Sequence, residues 1–172
     1  MSFWTSGSGK PLSGKPEDAF VGDFTVIPEG TVAEAMIKTF LTVEKVNKYK
    51  DTTERYLEIT WKIVSEQFKS REISQKIKVF AGSPEQIDRN LNLLKLIMQL
   101  CSYKPTHDNA PTDAELASMQ GNVAVIKIGE WALAKNDGTG MMEGNHIREV
   151  HKSGSMALET GVKSVVTSVP AH

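Results

Sequence analysis

The chain has a single cysteine, Cys101, among 172 residues, so no disulfide can close within it and no cysteine cluster can hold zinc. Cys101 falls among apolar helix residues, which reads as a buried, inert thiol in a reducing compartment. No apolar run approaches the roughly 20 residues that cross a bilayer, so no membrane span is expected. The start, Met1-Ser2-Phe3-Trp4-Thr5-Ser6-Gly7, has no basic end followed by an apolar stretch and does not read as a secretory signal. A cytoplasmic location is the expectation.

Signatures of catalysis are equally scarce. Ser6-Gly7-Ser8-Gly9-Lys10-Pro11 looks superficially like a phosphate loop, but it lacks the first glycine at the required spacing, the Ser/Thr after the lysine and a preceding strand. His146 and His151 are five apart on an expected strand, which should point them to opposite faces. No calcium loop forms around Asp137, no nucleophile elbow occurs, and the acidic residues are too dispersed to hold magnesium as a nuclease would. The chain therefore reads as non-enzymatic, with no catalytic residue, metal or cofactor.

What is present is charge of one sign in one place. The whole chain sums to −1. Within it, Lys38 to Phe80 holds ten Lys/Arg against six Asp/Glu, while residues 1–37 sum to −3 and residues 81–172 to −2. Positive charge concentrated on a strand-rich segment is the footprint of a polyanion binder. With 40% hydrophobic residues the chain can build one core, and it is expected to fold as one domain over 21–152 between a flexible arm, 1–20, and a flexible tail, 153–172.

Hydrophobic period and turn chemistry place the elements. A long β-branched strand, long enough to be bent or bulged as a small curled sheet requires, is expected from Thr31 to about Val46, entered by the turn Ile27-Pro28-Glu29-Gly30, with the loop Asn47 to Glu54 after it. From Tyr56 to Val64, Leu57, Ile59, Trp61 and Ile63 face one way and Tyr56, Glu58, Thr60 and Lys62 the other. Arg71 to Phe80 pairs with this strand, placing Lys76 and Lys78 outside and Ile73, Ile77 and Val79 inside. Ser83, Pro84 and Gln86 spell a capped helix start, followed by Ile87, Leu91, Leu94, Ile97, Met98 and Cys101 on one face. A second capping box, Thr112 to Glu115, opens a short helix ended by Gly121. Val123 to Leu133 and Asn145 to His151 form a last hairpin around Asn136 to Gly140. Three strands, a helix and a final hairpin is the order of the OB-fold, a five-stranded Greek-key barrel that binds its ligand across strands 2 and 3 between the 1–2 and 4–5 loops.

The candidate binding residues follow from that placement. Lys45, Lys48 and Lys50 interleave with Tyr49 in the first loop, where lysines meet phosphates and a ring gives bases a stacking face. The alternative is a solvated loop with Tyr49 folded onto the barrel. Lys62, Lys76 and Lys78 share the outward face, with Arg71 near the turn and Tyr56 and Phe80 as ring faces of the same parity. In the turn that holds Lys69, Phe68 is either a stacking tip or a cap on the barrel end. Trp61 shares parity with the core. Trp131 shares parity with both Val125 and Lys127, which leaves it open between core and ligand. Phe3 and Trp4 in the arm are candidates for docking on a subunit, a partner or nucleic acid.

From about Phe20 to Val150 the chain resembles a family of small phage-encoded proteins found among replication and recombination genes and regarded as OB-fold single-stranded DNA-binding proteins. The resemblance rests on Phe24-Thr25-Val26-Ile27-Pro28-Glu29-Gly30, on the hairpin from Trp61-Lys62-Ile63-Val64 through Phe68-Lys69-Ser70-Arg71 to Phe80, on the leucine-rich helix, and on Val125-Ile126-Lys127-Ile128-Gly129. It implies coating of single-stranded DNA with little sequence preference, in the cytoplasm of a host cell, with replication or recombination proteins as partners; whether further copies of the chain assemble into a homo-oligomer is left open by the sequence. Such binders often end in an acidic tail, whereas Val166 to His172 has no acid; either the chain is cut short or it recruits partners differently. The competing reading is a protein-interaction module that uses the same barrel and an open sheet edge.

Overall fold

In a computed structural model, which describes Leu12 and residues 25–154, five strands and two helices follow the expected order among the described residues. The strands are β1 (Val32–Asn47), β2 (Thr52–Ile63), β3 (Glu72–Ile77), β4 (Val123–Ala134) and β5 (Met141–Lys152); α1 (Pro84–Leu100) and α2 (Asp113–Ser118) lie between β3 and β4. All form one antiparallel sheet in the order β3-β2-β1-β4-β5. The arm at 1–20, with Phe3 and Trp4, and the tail from residue 155 onward lie outside the described residues apart from Leu12.

The sheet is curled but not closed. β3 and β5 approach each other without sharing a ladder, and the segment leading into β1 fills the seam. There Asn145 clamps buried Ile27 at both ends, accepting from its N–H at 2.9 Å and donating to its carbonyl at 2.8 Å. Arg71 donates from Nη2 to the Thr25 carbonyl at 2.5 Å. A seam sealed by side chains in place of a strand ladder makes this an open, OB-fold-like barrel.

Inside the curl, alternation does what the period requires. Ala33, Ala35 and Ile37 of β1, Leu57, Ile59, Trp61 and Ile63 of β2, and Ile126 and Ile128 of β4 form a continuous core. Trp61 is fully buried and satisfies its indole N–H on Gln75 Oε1 at 2.8 Å, the partner a buried Trp needs. The core closes at one end with Leu94, Ile97 and Met98 of α1 and Leu116 of α2.

Several boundaries differ from the sequence reading. β2 begins at Thr52 instead of Tyr56, and β5 at Met141 instead of Asn145, because both hairpins extend beyond the barrel, where both faces are wet and no alternation is needed. β3 stops at Ile77 instead of Phe80. Leu91 of α1, expected in the core, is exposed. Cys101 is half-buried, and burial raises its thiol pKa. No helix among the described residues is long and apolar enough to cross a membrane.

Candidate nucleic-acid interface

The outer face of β1, β2 and β3 is set by two facts, the register and one bulge. Register pairs Ile37 with Trp61 and then Thr39 with Thr60, so one extra residue enters β1 at Lys38 and the strand changes parity beyond it. Phe40 therefore faces the core, while Leu41, Val43 and Lys45 join Tyr56, Glu58, Thr60 and Lys62 on the outside. Lys76 and Glu72 of β3 complete that surface.

Acids neutralise only part of it. Lys38 pairs with Glu72 at 2.7 Å and Lys78 with Glu54 at 3.1 Å. Among the described residues, Lys45, Lys48, Lys50, Lys62 and Lys76 have no acid within ion-pair distance. Lys69 stands exposed in the turn between β2 and β3.

The first hairpin holds its basic tip in a defined shape. Asn47 Oδ1 accepts from the backbone N–H groups of Tyr49 and Lys50 at 3.0 and 3.2 Å, an Asx turn that orders a short polar loop. The loop is Lys48 to Asp51, shorter than the Asn47 to Glu54 expected. It holds the Tyr49 ring wholly in solvent, not folded back on the barrel. An open hollow of about 700 Å³ runs beneath it, lined by Lys45, Lys48, Lys50 and Glu54 among others.

Three aromatic candidates do not present free rings. Tyr56 points outward as its parity demands, yet it is 2% exposed because Lys76 lies across its ring, Nζ 4.9 Å from the centroid. The lysine stem of the neighbouring strand covers the face expected to stack a base. Phe68 packs against the core with φ at 61°, so it caps the barrel end. Phe80, expected on the outward face, instead packs against the core beneath the Arg55 guanidinium, 4.3 Å from its centroid. Arg71, half-buried, is directed into the seam.

Trp131 stands on the outward side of β4. It lies over Gly144 of β5, where an added Cβ would come within 2.7 Å of the indole. Its N–H reaches the Asn145 carbonyl at 3.3 Å, and 40% of the residue remains exposed. Gly144 also lines a cleft shared with Arg71 to Ser74, so the β5 segment beneath Trp131 forms the bank of the seam facing β3. Sequence reasoning missed its neighbours Leu133 and Met142, which are directly paired and exposed by 60% and 47%. Two adjacent apolar residues beside an outward Trp were the available signal.

A second bulge, at Arg148 between the pairs Lys127–Glu149 and Ile128–Ile147, corrects the expectation for the histidines. His146 and His151 pair with Gly129 and Val125, positions four apart on β4, and so share the outward face. They still form no metal site: His151 Nε2 meets Glu149 at 2.9 Å, and among the described residues no three His, Cys, Asp or Glu side chains are grouped to hold a metal.

In sequence the chain matches no family model and no curated protein. Among solved structures, "Yeast RPA bound to ssDNA" is similar with a TM-score of 0.38 and 10% identity, over 88% of this chain and 92% of that one. The overlap is loose and assigns no residue a role.

Proposed function

We propose that this protein is a non-enzymatic single-stranded DNA-binding protein with little sequence preference. The observation that carries the reading is the group formed by Lys45, Lys48, Lys50, Lys62 and Lys76, free of ion pairs among the described residues, with the wholly exposed Tyr49 ring between them. Lysines release counterions from phosphates, and an exposed ring stacks on any base. Neither reads base edges, so the surface suits a strand of any sequence. Trp131, across the seam, offers the second stacking platform. A role in phage replication or recombination, alongside the proteins of those processes, rests on the resemblance over residues 20–150.

Titrating the intrinsic tryptophan emission with an unstructured oligonucleotide at several salt concentrations tests this. Binding that weakens steeply with salt is expected. No binding at low salt, or a preference for duplex, overturns it.

One observation favours a second reading, a protein-docking module: the exposed stripe of Trp131, Leu133 and Met142 along the last hairpin. That reading predicts a stable protein complex indifferent to replacing Lys48, Lys62, Lys76 and Lys78 together.

A further inference from the structure

A second basic groove opens where β3 ends. It holds about 680 Å³ between the start of β2, the Phe80 to Gly82 turn and the first turns of α1. Its charged lining is Arg55, Lys78 and Arg89 against Glu54 alone, and Glu54 is already paired with Lys78. The wall is firm, because Asn90 Nδ2 donates to the Lys78 carbonyl at 2.8 Å and ties α1 to the strand end.

Two features point to the occupant. Arg55 stacks over the Phe80 ring, its guanidinium carbon 4.3 Å from the centroid, with Nε 3.5 Å from Glu44 Oε1 and about half of the side chain exposed. A guanidinium packed over a ring on one side and still half exposed leaves room for a planar group on the other, as when arginine stacks on an unpaired base. The groove is also continuous with the lysine surface. Lys78 stands two residues beyond Lys76, about 7 Å along an extended chain, and Glu54 lines both this groove and the hollow under the first hairpin. On the far side of Arg55 the next depression is lined by Glu44 and Asp113, which repel phosphate.

Building on the function proposed above, we infer that single-stranded DNA crossing the β2–β3 face continues over Lys78 into this groove, stacks a base on Arg55, sets a phosphate against Arg89, and stops at Glu44. Arg55 and Arg89 are thus binding residues at one end of the track.

The test compares two oligothymidylates, about 4 and about 16 nucleotides long, the span of site sizes for one such barrel, in fluorescence titrations over a salt series. Arg89→Ala, an exposed helix position, should lower the slope of log affinity against log salt by about 0.7 for the long oligonucleotide and leave the short one, held on the lysine face, unchanged. Arg55→Lys keeps the charge and removes the plane, so it should keep the slope and weaken the long oligonucleotide about tenfold. Equal behaviour of both variants and the unaltered protein on the long oligonucleotide overturns the track while leaving the lysine surface in place. Failure of the unaltered protein to bind either length overturns the proposed function itself.

Discussion

A Cβ added to Gly144 would lie 2.7 Å from the Trp131 ring, so the glycine is what lets the indole lie flat on β5 and reach the Asn145 carbonyl. Gly144→Ala should push the ring outward, cost about 1–3 kcal/mol as overpacking does, and weaken oligonucleotide binding if the ring is a stacking platform. Thermal unfolding with a parallel titration checks both effects, and an unchanged variant would show that the close approach relaxes freely. Tyr49 gives the cleaner contrast because its ring touches nothing that folding needs. Tyr49→Ala should leave the melting temperature in place and lower affinity by the 1–3 kcal/mol of one stacked base. Equal affinity would remove Tyr49 from the interface. Tyr56 marks what residue-level reading of a sequence cannot reach. Its outward parity is legible from the alternation of Leu57, Ile59 and Trp61, whereas its cover by Lys76 depends on which residue of the next strand lies diagonal to it.

Elements were legible where an apolar face alternates against a wet one, and where capping residues punctuate the chain. Both capping boxes form as read, Ser83 with Gln86 and Thr112 with Glu115. Alternation fails where strands leave the barrel, so Thr52 to Arg55 and Met141 to Gly144 read as loop although they pair. That β1 is long enough to bend or bulge is legible from its length, but the places of the bulges, at Lys38 and Arg148, are not: each is one extra residue in a run of good strand formers, and only the partner strand reveals it. In α2, Glu115 accepts from the Tyr103 hydroxyl, the Thr112 N–H and His107, and these bonds, the tyrosine's first, hold its pKa down at about 2. A carboxylate whose folded pKa lies below its unfolded value of about 4.3 contributes stability above pH 4.3, and that contribution is lost as pH falls toward 2. Glu115→Gln should therefore destabilise the protein at neutral pH, with the difference from the unaltered chain vanishing by about pH 2. Chemical denaturation at both pH values measures it, and a pH-independent difference would show that shape, not charge, sets the contribution.

For the whole molecule, a net charge of −1 would argue against a polyanion partner if charge were evenly spread. Folding gathers the cations instead. The register places Lys45, Lys62 and Lys76 on one face and the first hairpin adds Lys48 and Lys50; of the acids nearby, Glu72 and Glu54 are spent on Lys38 and Lys78, and Glu58 stands among the lysines. Attraction at a surface falls off within about 8–10 Å at ordinary ionic strength, so a phosphate there meets the local excess and is screened from the acidic remainder. If all five lysines contact phosphates, log affinity should fall against log salt with a slope of about −3.5, close to 0.7 per contact on a single strand. Lys62→Gln with Lys76→Gln should reduce that slope by about 1.4, while the same exchange at Lys95 and Lys104, outside this surface, should leave it alone. A slope that drops equally for both pairs would mean that the molecule's total charge, and not the arranged face, draws the strand in.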